Sequence, residues 1–194
     1  MTRAEAAARQ NRAQELVRLL AGRPLVLVGM MGAGKTTVGR RVANRLERTF
    51  RDSDEEIEKA AQMTIPEIFE QRGEPEFRAG ETRVIARLLK DGDLVLATGG
   101  GAFVNAETRS LVKGEAVSVW LKADAGILFE RVSRRANRPL LKTPNPRATL
   151  EKLIAERYPI YAEADVTVLS HDVPQDAVAA DVIAATLRYL KQEK

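Results

Sequence analysis

The 194-residue chain is 44% apolar and 30% charged, the composition of one globular domain with its own core and not of a disordered or fibrous protein. It has no cysteine, which excludes disulfides, thiolate catalysis and cysteine-held metals, and fits a reducing, cytoplasmic setting. Its net charge of +4 is spread among interleaved acids, so a phosphorylated small molecule accounts for the excess as well as a nucleic acid would, and no apolar run approaches the ~18 to 20 residues of a membrane span.

Residues 1–22 stand apart, rich in Ala, Arg, Gln and Glu, with Leu16, Val17, Leu19 and Leu20 as a weak apolar stripe before Gly22-Arg23-Pro24. The stretch lacks serine and carries Glu5 and Glu15, unlike a transit peptide, and reads as a solvated helical extension leaning on the domain. The apolar run from Pro24 then has strand character, with a strand expected over 25–28, and residues 37–47 have helical spacing.

Between them Gly29-Met30-Met31-Gly32-Ala33-Gly34-Lys35-Thr36 completes a G-x-x-x-x-G-K-[ST] phosphate-binding loop, in the strand–loop–helix setting that lets it work. Backbone N–H groups from Gly32, Ala33, Gly34 and the first helical residues through Thr37 can turn around phosphate oxygens. Lys35 reaches the β and γ phosphates, and the Thr36 hydroxyl suits a single Mg²⁺. The ligand expected is ATP or another nucleoside triphosphate; no G-x-G-x-x-G register supports a dinucleotide.

A short strand around Phe50-Arg51 leads into Asp52-Ser53-Asp54. At the carboxyl end of a parallel strand, two acids beside a Mg²⁺-nucleotide could divide the work between metal waters and an acceptor hydroxyl. Equally, Asp54 could cap the following helix, expected over 54–61, with Asp52 in solvent.

Helices are expected over 65–72 and 75–89, the first opened by the capping box Thr64-x-x-Glu67, with stops at Gly73 and Gly92. The second carries Phe77-Arg78-x-x-Glu81. A strand over 94–97 runs into Gly99-Gly100-Gly101, where missing side chains would let a ligand approach the backbone.

Helix over 106–112, strand over 116–121 and helix over 125–135 follow. Residues 131–147 then hold Arg131, Arg134, Arg135, Arg138, Lys142 and Arg147, three prolines and no acid, which reads as a mobile lid. Glu156-Arg157-Tyr158-Pro159-x-Tyr161 lies on a helix over 148–162, ahead of a strand over 166–169 and a last helix over 175–190. Strands alternating with helices imply a parallel sheet covered on both faces. The single histidine, His171, reads as incidental.

Taken in order and spacing, the glycine-rich loop, Phe50-Arg51-Asp52-Ser53-Asp54, Phe77-Arg78-x-x-Glu81, the triple glycine, Arg138-Pro139-Leu140-Leu141 and Glu156-Arg157-x-x-x-Tyr161 resemble the shikimate kinases. The resemblance covers about Pro24 to the C-terminus and leaves 1–22 without a family role. It implies an α/β three-layer P-loop kinase fold, with a central five-stranded parallel sheet covered on both faces and a lid at about 131–147. It also implies transfer of a phosphoryl group from ATP to the 3-hydroxyl of shikimate.

Residue by residue, the resemblance gives Lys35 and Thr36 to phosphate and Mg²⁺, with Asp52 on the metal through water. Asp54 would hold the shikimate hydroxyls and act as base, and Arg78 and Arg157 would clamp the carboxylate. Gly99, Gly100 and Gly101 would border the ring, with Phe69 and Phe77 as apolar walls. Arg138 would enter with the lid to neutralise the moving phosphate, and Arg131 would stack near the adenine; residues near 171–176 receive no role. A gluconate or nucleotide kinase would not require arginines at both 78 and 157, and a nucleic-acid-binding ATPase should show aromatics interleaved along a basic groove. A cytoplasmic monomer with no nucleic-acid or membrane partner is expected.

Overall fold

The computed structural model describes residues 3–133 and 143–193. In chain order the elements are α1 Arg3–Leu20, β1 Leu25–Val28, α2 Lys35–Leu46, β2 Thr49–Asp52, α3 Ser53–Ala61, α4 Ile65–Lys90, β3 Leu94–Ala97, α5 Ala106–Glu115, β4 Val117–Lys122, α6 Ala125–Ser133, α7 Pro146–Tyr161, β5 Val166–Leu169 and α8 Gln175–Gln192. Gly73 (φ 79°, ψ 170°) breaks α4 into the two helices that the sequence implies. The Thr64 cap is reciprocal: Glu67 Oε2 accepts the Thr64 N–H at 2.7 Å, and Thr64 Oγ1 accepts the Glu67 N–H at 3.4 Å.

The five strands form one parallel sheet in the order β2-β3-β1-β4-β5, with Leu25 opposite both Val95 and Val117. Helices α1, α2 and α8 pack on one another on one face, and α4, α5 and α7 line the other. Burial follows that arrangement. Strands β1 and β3 are buried along their whole length, as two-sided cover demands, while edge strand β5 alternates between buried and exposed residues.

Helix α1 is more than a solvated extension. Ala13, Leu16 and Leu20 share one face at helical spacing and join the same apolar cluster as the sheet, with Leu16 and Leu20 fully buried. Each such leucine contributes about 1.5 to 3 kcal/mol through burial.

The chain turns to one side of β1 for β2 and β3 and to the other for β4 and β5. The connections therefore part at the carboxyl end of β1, which opens a crevice where parallel sheets hold their ligands.

Candidate active site

The loop from β1 to α2 lies at that crevice. Gly34 takes a left-handed conformation (φ 93°) that non-glycine residues rarely adopt, and it caps α2 without any side-chain hydrogen bond. The first N–H groups of the helix are thus left for an anion, reinforced by the helix dipole. Lys35 folds back along the loop, its Nζ donating to the carbonyls of Gly29 (2.8 Å) and Met30 (2.9 Å). Those bonds keep a buried ammonium satisfied at the place where phosphate would sit.

Asp52 does two jobs at the end of β2. One oxygen accepts the Thr36 hydroxyl at 2.8 Å and the other accepts the Asp54 N–H at 3.1 Å, so the cap of α3 is Asp52 and not Asp54. Asp54 is thereby spared the capping role and reaches the crevice. The adjoining Thr36 hydroxyl and Asp52 carboxylate are hard oxygen groups next to the phosphate loop, a donor set that fits Mg²⁺ holding part of its water shell.

Two cavities meet here. The first, of about 440 Å³, is lined by Gly32, Gly34, Lys35, Thr36, Thr37, Asp52, Arg131 and Gln175. The second, of about 580 Å³, is lined by Phe69, Phe77, Arg78, Glu81, Gly101 and Arg157. Met31, Asp54, Gly99 and Gly100 line both, so Asp54 stands at the junction. Ala33 lies buried in the loop itself, its carbonyl accepting the Ser170 hydroxyl at 3.0 Å.

The second cavity is built from side chains on separate elements. Arg78 leaves α4 with one Nη on Glu81 (2.7 Å) and the other on Glu74 (3.1 Å), and its guanidinium lies 5.1 Å from the centre of the Phe77 ring. Phe77 and Phe69 pack with ring centres 4.6 Å apart, forming an apolar wall. Arg157 arrives from α7, its Nη1 donating to the Gly100 carbonyl at 3.4 Å.

At Gly99 and Gly101 the site's side chains come close to the backbone. A Cβ on Gly99 would stand 2.6 Å from Asp54 Oδ1, and one on Gly101 would stand 2.5 Å from Arg78 Nη1. Gly99 also donates its N–H to the buried Ser53 hydroxyl at 2.9 Å, which ties the loop to the start of α3.

Several contributors carried no assignment in the sequence. Glu81 is almost wholly buried; burial pushes its carboxyl above the usual glutamate range, and the neighbouring Arg78 charge only partly offsets this. Its Oε1 has no hydrogen-bond partner among the described residues and faces the same Gly99 position as Asp54. Ser170 accepts Arg131 Nη1 at 3.1 Å, while Arg131 Nη2 reaches the His171 carbonyl at 2.9 Å, so Arg131 borders the first cavity tied to the loop after β5. Gln175, at the start of α8, points a buried Oε1, unpaired among the described residues, at Gly34. The glutamate of the Phe77-Arg78-x-x-Glu81 segment was visible as part of a motif; Ser170 and Gln175 flank the 171–174 stretch, which carries no motif. Arg138 and most of the expected lid lie outside the described residues.

The shikimate kinase family model matches residues 31–187. The chain belongs to the shikimate kinase family. It is 58% identical to the shikimate kinase of Rhodopseudomonas palustris over 185 residues, covering 95% of this chain and 91% of that one. The Nitrobacter winogradskyi shikimate kinase is 59% identical, covering 90% of this chain and 82% of that one. Among solved structures, the shikimate kinase of Acinetobacter baumannii in complex with shikimate superposes with a TM-score of 0.80 at 42% identity, covering 89% of this chain and 94% of that one. The parallel five-stranded sheet with helices on both faces is thus the shikimate kinase architecture, and the chain is an ATP-using kinase.

Proposed function

We propose that the chain phosphorylates the 3-hydroxyl of shikimate at the junction of its two cavities, with ATP in the first and shikimate in the second. The observation that carries this reading is the sharing of Asp54, Gly99 and Gly100 between a phosphate-loop cleft and a cleft bearing two arginines. A carboxylate suits the planar forks of Arg78 and Arg157, and a small polyol ring suits Asp54 and the bare glycine backbone, walled by Phe69 and Phe77.

In this scheme Lys35 exchanges the Gly29 and Met30 carbonyls for the β and γ phosphates, while the amides of Gly32 to Thr37 cradle them. Thr36 would hold Mg²⁺ directly and Asp52 would hold it through water; when bound, the ion would supply charge neutralisation for the phosphates. Asp54 orients the 3-hydroxyl and accepts its proton as the oxygen attacks the γ phosphorus. The bond from that phosphorus to the β,γ-bridging oxygen breaks, and ADP leaves. Arg138 adds positive charge from the lid, and Arg131 and Gln175 border the nucleoside. Residues 23–194 form the kinase unit, with α1 as its structural companion, and the protein works as a cytoplasmic monomer.

A coupled assay of ADP release with shikimate, gluconate, a nucleoside monophosphate or single-stranded DNA as the second component tests the reading. Shikimate alone should stimulate turnover. Stimulation by any of the others with none by shikimate would overturn it.

A further inference from the structure

Behind the triple glycine, Tyr161 closes α7 with its side chain fully buried. Its hydroxyl donates to the carbonyl of Gly100 and lies 3.8 Å from Met30 Sδ. The same carbonyl accepts Arg157 Nη1 at 3.4 Å. Arg157 and Tyr161 are four residues apart, on one face of α7, so a single backbone oxygen is shared by the arginine that faces shikimate and the hydroxyl beneath it.

We infer that Tyr161 is a positioning residue for the shikimate cavity, holding the Gly100 carbonyl so that Arg157 stays available to the substrate carboxylate. The inference rests on the clamp role given to Arg157 above.

A carbonyl already supplied with a strong neutral donor makes a weak, long bond to the guanidinium, as the 3.4 Å distance records. A carboxylate can then draw Arg157 away at little cost, because the carbonyl keeps its other partner and no buried group is left unpaired. With the hydroxyl removed, Arg157 becomes the sole donor to that oxygen, and substrate must break this bond and leave the carbonyl unsatisfied.

Fixing the carbonyl also fixes the trans peptide to Gly101, whose N–H points the opposite way, so the loop segment beside Arg78 is set by the same contact. Burial raises the Tyr161 hydroxyl to about 12, opposed by the Arg157 charge and by a hydrogen bond from Arg157 to that hydroxyl, so it remains a donor to the Gly100 carbonyl at every working pH. The ring is braced independently of the hydroxyl by Trp120, 6.0 Å away between centres, and by Tyr158 at 6.4 Å.

The test is Tyr161→Phe, which keeps that ring packing. KM for shikimate should rise roughly three- to tenfold, the worth of one shared hydrogen bond, with KM for ATP and kcat changed less than about twofold. Shikimate binding followed through Trp120, the chain's one tryptophan, should weaken by the same factor. In an Arg157→Ala background the substitution should change shikimate affinity hardly at all, because the two act through one oxygen.

Equal effects with and without Arg157 would overturn the inference, as would an unchanged KM for shikimate in the single variant or a variant that fails to fold. Failure of the parent enzyme to use shikimate would instead overturn the functional reading itself.

Discussion

The two halves of the crevice hold anions by different means. On the nucleotide side the groups are consecutive in the chain and largely backbone: one turn from β1 to α2 supplies the amides, and Lys35 rests on carbonyls of its own loop. On the shikimate side the groups are side chains from the start of α3, α4 and α7. Each arginine is held by groups of the protein itself, Arg78 by two glutamates and Arg157 by a neutral carbonyl. A backbone site is fixed once its turn folds. A side-chain site depends on what each charge does when the ligand is gone.

The largest effect should come from the first half. Lys35→Ala should lower kcat by about 100-fold or more, since one preorganised cation at the moving phosphate is worth several kcal/mol. Shikimate affinity, read through Trp120, should hold. Kinetics within threefold of the parent would remove the phosphate role, and a parallel loss of shikimate binding would mean that the halves are not independent.

Next comes the clamp. Arg78→Ala and Arg157→Ala should each cost about 2 to 4 kcal/mol of transition-state binding, roughly 30- to 1000-fold in kcat/KM for shikimate. KM for ATP should move less than about threefold in both. If both variants keep parental kcat/KM for shikimate, the carboxylate clamp is wrong although the nucleotide half stands.

The different resting partners separate the two arginines by pH. Glu81 has its folded pKa raised above the unfolded value by burial, with Arg78 opposing the rise. A carboxyl of that kind contributes stability that is fully present below the unfolded pKa and lost as pH rises through the folded one. Removing Arg78 takes away the opposing charge, so the loss should deepen. Arg78→Ala should therefore fall further below the parent in melting temperature as pH rises from about 4 to 8, whereas Arg157→Ala should keep a nearly constant offset. Parallel pH curves for all three proteins would show that Glu81 is not held by Arg78.

What could be read from the chain follows the same division. The phosphate loop is contiguous, so its spacing alone points to a triphosphate. Strands β1, β3 and β5 are short apolar runs between turn signals and begin and end at the residues expected. The break at Gly73 was equally legible, because a glycine two residues ahead of Pro75 reads as a helix stop.

The shikimate cavity is assembled across four separated segments, and spacing within any one of them does not say that they meet; only the family resemblance joined Arg78 to Arg157. The role of Asp52 as cap was hidden because either acid satisfies the local pattern, and the choice is made by Thr36 across the crevice. Helix α1 read as solvated because its buried face runs through Ala13, which does not stand out in an alanine-rich stretch.

The smallest kinetic effect belongs to α1, and its direction bears on the independence of the halves. Leu16 is fully buried against the core, and α1 packs on α2 and α8. Those two helices begin at Lys35 and Gln175, both in the nucleotide cleft, and neither carries a shikimate-side group. Leu16→Ala should cost about 2 to 5 kcal/mol of stability by emptying a packed site. Any distortion that it transmits should travel along α2 or α8 to the phosphate loop. At a temperature where the variant remains folded, KM for shikimate should match the parent, and KM for ATP should rise by no more than about twofold. The measurement is a thermal melt followed by separate titrations of the two substrates. A rise confined to KM for shikimate would mean that strain crosses the sheet to α4 and α7, and the two halves would then have to be treated as one mechanical unit.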